Sequence, residues 1–119
     1  MEHAKSPSDL IARFTALVPP DPDVTSKKVF GYPACFINGN MFAGLHGPDM
    51  ILRLPEKERE RFIVQTDSHI FEPMPGHPMK EYVVVPKELI SADTDIDSWL
   101  SISMAYARSL PPKLKKKKA

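Results

Sequence analysis

The sequence predicts an α+β fold: one two-layer domain in which an antiparallel meander is covered by an N-terminal and a C-terminal helix. Three observations predict it. Short apolar runs between Val29 and Leu54 are separated by tight turn signals, and connections that short join only antiparallel neighbours. Apolar residues recur at helical spacing near both ends of the chain. A length of 119 residues, with 42% hydrophobic and 26% charged residues, suits a single core.

The first helix is expected from Ser6-Pro7-Ser8-Asp9, which reads as a serine cap, a proline at the first helical position and an acid in the first turn. Leu10, Ile11, Phe14, Leu17 and Val18 then share one face, and Pro19-Pro20 ends the helix. Asp21 to Thr25 is expected as a polar connector, followed by a short strand at Lys28-Val29-Phe30 and a turn or bulge at Gly31-Tyr32-Pro33. Ala34 to Ile37 is a second extended run. Asn38-Gly39 is the strongest hairpin signal in the chain, since both residues tolerate positive φ. Met41 to His46 is the return strand, Gly47-Pro48-Asp49 the next turn, and Met50 to Leu54 the next strand.

Pro55 starts a second helix, with Glu56, Glu58 and Glu60 near its positive end. Only Phe62, Ile63 and Val64 offer apolar surface for burial, so this helix belongs at the surface. Thr66 to Pro78 is loop. Within it, PMPGHPMKEYVVVP (Pro73 to Pro86) combines four prolines and a glycine with a strongly β-forming run. Met79 to Val85 is the last expected strand. Asp93 or Asp95 caps a final helix, Ile96 to Leu110, with Trp99, Ile102, Ser103 and Tyr106 on one face. Phe14, Leu17, Phe36, Leu52, Val84, Trp99 and Ile102 are expected in the packed interior.

Charge is unevenly placed. Five of the 16 Lys and Arg residues fall in the terminal KLKKKKA; the remaining 11 face 15 acids in residues 1–112, a net of −4. The domain is therefore expected to span 1–112, followed by a basic, disordered tail at 113–119 that solvates the chain and makes weak, sequence-blind contact with nucleic acid. No apolar run approaches the roughly 20 residues that cross a bilayer. The N-terminus lacks the apolar core of a secretory signal. One cysteine, Cys35, allows no internal disulfide, which together with the missing signal points to the cytoplasm.

Chemical signals are sparse. His3, His46, His69 and His77 are scattered without the pairings that close a zinc site. Cys35 lies in a strand, where a thiol usually packs as a small apolar group. There is no GxSxG, GxGxxG or GxxxxGK[ST]. No catalytic residue, metal or cofactor is expected. Arg53 and Glu81 suit a cross-strand ion pair. Lys80 and Glu81, adjacent in the expected strand, would point to opposite faces. Trp99 and Tyr106, seven residues apart, suit core packing or an aromatic binding stripe.

Several segments together resemble one family. FGYPACFINGNMFAGLHGPDMILRLP, PMPGHPMKEYVVVP and a helix ending in YARSLPPK are similar, in order and spacing, to the N-terminal domain of the TfoX/Sxy family, over about Ser26 to Lys113. The family's second glycine after Gly31 is replaced here by Tyr32. The resemblance implies a fold like that of the type III secretion chaperones and a role in transcriptional co-regulation linked to natural competence. Larger members carry a further C-terminal helical domain; KLKKKKA stands in its place here, so that domain's role is not carried over.

The function expected is thus a small protein-interaction or regulatory module, binding a protein partner or a second copy of itself. Arg53, His77, Lys80 and Tyr82 are the expected borders of its binding surface, because the proline-rich loop restricts backbone freedom beside them. The alternative is a small-molecule-binding protein or enzyme with a pocket between the 73–78 loop and the sheet.

Overall fold

A computed structural model describes residues 7–18, 21–29, 31–91 and 93–112. The expected serine cap at Ser6 and the basic tail at 113–119 lie outside these residues. The chain forms helix α1 (Ser8–Leu17), strands β1 (Val24–Val29), β2 (Tyr32–Ile37), β3 (Asn40–His46) and β4 (Asp49–Arg53), helix α2 (Glu56–Thr66), strand β5 (Tyr82–Val85), and helices α3 (Lys87–Ser91) and α4 (Asp93–Ser109). The strands form one five-stranded sheet in the order β1-β2-β3-β4-β5, every pair antiparallel. The α+β meander predicted from the turn signals is the architecture observed.

The β2–β3 connection is Asn38 (φ 54°) and Gly39 (φ 79°), the doubly left-handed turn whose twist matches a hairpin. Beyond it the ladder shifts register. Cys35 pairs with Ala43 and Phe36 with Met41, so Phe42 is an extra residue in β3, as in a β-bulge. Phe42 and Ala43 are both fully buried. Ser103, buried on α4, donates from Oγ to the carbonyl of Phe42 at 2.6 Å. A buried hydroxyl and the carbonyl of the unpaired residue thus satisfy each other.

The helix-covered face is read from strand parity and cross-strand partners. It carries Cys35, Ala43, Leu45, Met50, Leu52, Val83 and Val85, all in a core cluster with Phe14 and Leu17 of α1, Phe62 of α2 and Ile96, Trp99, Leu100, Met104 and Ala107 of α4. Phe62 and Trp99 meet edge to face at 4.9 Å, fastening α2 to α4. Of the residues expected inside, Phe14, Leu17, Leu52 and Trp99 are buried, and Ile102 packs partly against the core. Phe36 and Val84 are only half-buried. They face the other side of the sheet, because Val83 and Val85 take the inner positions. Val64 is 81% exposed: α2 turns Phe62 inward, and Val64 lies off that side.

The other face is not bare. Phe71, from the segment after α2, is buried and meets His46 at 5.2 Å, while Tyr32 meets His46 from the other side at 5.0 Å. The same segment runs along β5. Phe71 donates its N–H to Tyr82 O and Val84 donates to His69 O, and Ser68 Oγ bonds Val84 O.

Several boundaries differ from the sequence reading. Pro7, with ψ 144°, is the cap position and the helix starts at Ser8; α1 ends at Leu17, and Val18 is extended as a residue preceding a proline tends to be. β1 begins at Val24, inside the expected connector. Its polar VTSKKV has no alternation to betray it, and its pairing rests on backbone bonds to β2. The last strand is Tyr82–Val85 rather than Met79 to Val85; Arg53, the last residue of β4, pairs with Tyr82, and Tyr82 N–H closes a turn onto Met79 O. Finally, Lys87–Ser91 forms a short helix, begun by Pro86 and Glu88 in the way that Pro55 begins α2.

Candidate functional site

Two of the four expected site residues, Arg53 and Tyr82, meet at one end of the sheet, where β4 ends and β5 begins. Arg53 and Tyr82 are cross-strand partners and so project from the same face. The Arg53 guanidinium lies 5.6 Å from the centre of the Tyr82 ring and 5.8 Å from that of Tyr106, within cation–π range of both. Its Nε donates to Glu81 Oε1 at 2.7 Å, and Tyr106 Oη donates to Glu81 Oε2 at 3.2 Å. Tyr82 Oη donates to the carbonyl of Met41 at 3.2 Å. The Arg53–Glu81 ion pair expected from the sequence is therefore present.

Glu81 is bound to Arg53 from the turn ahead of β5, where the chain has not yet taken up the alternation of a strand. The expected opposition of Lys80 and Glu81 across a strand accordingly does not arise: both lie in the turn that precedes Tyr82. Tyr106 was not foreseen as part of this group. Its signal was its place one turn beyond Ser103 on α4, which brings it to the sheet end reached by Arg53. The C-terminus of α4 is fastened there as well, since buried Asn40 donates from Nδ2 to the carbonyls of Ala107 and Pro111 at 3.5 and 3.1 Å.

Electrostatics follow from this geometry. Partial burial raises the Glu81 pKa, but the hydrogen bond and charge of Arg53, helped by Tyr106 and Arg59, outweigh it and hold the carboxyl below its usual range. Burial pushes both phenols up, and the Glu81 carboxylate adds to this at Tyr82 and Tyr106. The group is a charge-balanced, neutral-phenol cluster at neutral pH.

His77 and Lys80 are placed differently. Both are exposed in the loop, and neither side chain forms a hydrogen bond or ion pair among the described residues. Their backbone is nevertheless held. His77 N–H bonds Met74 O at 2.9 Å, Met79 N–H bonds Phe71 O at 2.8 Å, and Gly76 (φ 81°) donates to Glu72 Oε2 at 2.6 Å. The loop thus presents Met74, which is 61% exposed, with His77 and Lys80, from a fixed frame beside the Arg53 cluster.

Cys35 is buried, and burial raises its pKa while a contact with Ser26 works against that. It is an un-ionised thiol in the sheet. Among the described residues no group of three or more His, Cys, Asp or Glu is placed to hold a metal ion, and no described helix is long and apolar enough to cross a membrane.

Comparison with known proteins decides the family. The profile described as "TfoX N-terminal domain" matches residues 16–107, more than half of the 119-residue chain. The chain belongs to the TfoX N-terminal domain family. The match takes in β1 to β5 and nearly all of α4, and with them every member of the Arg53 cluster. No curated protein matches the chain.

Proposed function

We propose that this TfoX N-terminal domain is a cytoplasmic protein-interaction module of the regulatory, competence-linked kind, and that it recognises a protein partner through the 73–80 loop and the adjoining end of the sheet. One observation carries the reading: the loop is ordered by bonds to the sheet and within itself, yet directs Met74, His77 and Lys80 outward with no partner for their polar ends among the described residues. A frame already ordered lowers the entropy cost of binding, and an exposed methionine beside a cation offers adaptable apolar contact with a charged rim. Arg53, Glu81, Tyr82 and Tyr106 form the support beneath this surface, and their contribution is to fix it rather than to make or break bonds.

The test is the triple variant Met74→Ala/His77→Ala/Lys80→Ala against the unaltered chain, with partners recovered from native cells and identified by mass spectrometry. The reading expects loss of a specific protein at an unchanged Tm. Recovery of the same proteins by both forms overturns it. A partner that is lost only when the lysine-rich terminus is deleted, and that is nucleic acid rather than protein, would replace it with the charge-based alternative.

A further inference from the structure

A second surface, distant in sequence from the loop, has a different chemistry. β1 is the terminal strand of the sheet, and Thr25 to Lys28 are exposed. Between α1 and the inner face of β1 and β2 runs a groove of about 630 Å³ lined by Phe14, Val18, Val24, Ser26, Lys28 and Cys35, with Lys27 and Asp21 at its border. The floor is apolar, and the rim carries Lys27 and Lys28 together with Asp21, whose charge is met by Arg108. Lys28 has no charged partner among the described residues. Lys27 lies over the Phe36 ring at 4.9 Å on the opposite face. The acids nearest in sequence, Asp21 and Asp23, are taken by Arg108 at 2.7 and 3.3 Å.

We propose that β1 and this groove take up an extended acidic peptide as an added strand. A terminal strand presents a row of unpaired backbone donors and acceptors, and extended peptides dock on such edges with backbone bonds for affinity and alternate side chains for selectivity. Lys27 and Lys28 are adjacent, so they project to opposite faces. A complementary strand therefore carries acids at two successive positions, one for each lysine, and small apolar residues toward the floor formed by Phe14, Val24 and Cys35. A second copy of this chain is disfavoured as the occupant. Antiparallel self-pairing would bring the lysines of both strands into one short ladder, and like charges across a ladder are destabilising. This proposal does not depend on the loop surface.

The test titrates the full chain, labelled with nitrogen-15, with a blocked octapeptide of valines and threonines around a central Asp-Glu pair. A Lys-Lys peptide serves as control. The expected result is saturable binding of the acidic peptide, amide shifts and slowed hydrogen exchange confined to residues 24–29 and the groove, and weakening with added salt. Lys27→Glu/Lys28→Glu, both at exposed positions, should keep the circular dichroism spectrum, lose at least about tenfold in affinity for the acidic peptide and gain the lysine peptide. Met74→Ala/His77→Ala/Lys80→Ala should bind the acidic peptide unchanged. Equal affinity in the charge-reversed variant, shifts that map to residues 74–80 or to the terminal lysines, or absence of saturation overturns the proposal. So does a dimer in sedimentation that Lys27→Glu/Lys28→Glu dissolves, since the edge would then belong to a second copy.

Discussion

The Glu81 carboxylate accepts from Arg53 and from Tyr106, and this makes its protonation a stability event. Its pKa in the folded chain is lowered from the ordinary 4.5, so its contribution is full above the unfolded value and is lost as pH falls through the folded one. The carboxylate side chain is 42% exposed, and solvent screening keeps the pair within about 0–1 kcal/mol. Glu81→Gln should therefore lower Tm slightly at pH 7 and flatten its acid dependence below about pH 4.5, as thermal melts from pH 7 downward would show. An unchanged slope would mean that other carboxylates govern the acid limb. The larger single-residue effect belongs to Ser103. Ser103→Ala strips the Phe42 carbonyl of its donor in a fully buried setting and should cost about 1–3 kcal/mol, read from denaturant midpoints. The sequence exposed half of this scale. Arg53, Glu81 and Tyr82 could be placed together from the family-like order of strand ends, although α2 and the segment after it lie between them. Ser103 and Tyr106 could not, since both sit on a helix, and helical spacing identifies a face without saying which strand it meets.

At the scale of elements, the β2–β3 hairpin was legible because Asn38-Gly39 demands one backbone geometry, and the observed φ values supply it. α2 was legible from Pro55 and the acids that follow. β1 was legible only at its end, Lys28-Val29; its first residues were read as connector, because an exposed edge strand needs no apolar alternation and its polar residues hide it. The inner and outer positions of β5 were exchanged in the sequence reading for a related reason: Val83, Val84 and Val85 are chemically alike, and only the register with β4 distinguishes them. The bulge at Phe42 was likewise silent, as nothing local marks the extra residue. α4 carries the heaviest element-level prediction. Trp99 touches Phe62 of α2 on one side, and the Arg61 guanidinium lies 4.9 Å from its ring centre. Trp99→Ala should cost about 3–5 kcal/mol, and Arg61→Ala much less, about 0.5–1 kcal/mol for an exposed cation–π contact. Urea titrations of both variants test the ratio. Equal losses would place the α2–α4 joint in the cation rather than in the ring pair.

For the molecule as a whole, the decisive feature is that one core cluster runs from Phe14 in α1 through four strands to Ala107 in α4. Helices α1 and α4 are thus bound to the same interior. A chain built this way should unfold as one unit. Phe14→Ala removes a ring that is 2% exposed and should lower stability by about 3–5 kcal/mol. More telling is how the loss appears. Far-UV circular dichroism reports the helices and strands together, and the single tryptophan reports the α2–α4 joint at the other end of the chain. In both the unaltered protein and Phe14→Ala, the two signals should trace one transition with one midpoint, shifted equally by the substitution. Cys35, buried in β2, supplies a third probe: its thiol should react with iodoacetamide only over the same transition. If Phe14→Ala instead produced an early loss of dichroism with tryptophan fluorescence unmoved, α1 would be a separable cover. The groove beside β1 would then open without the rest of the domain unfolding.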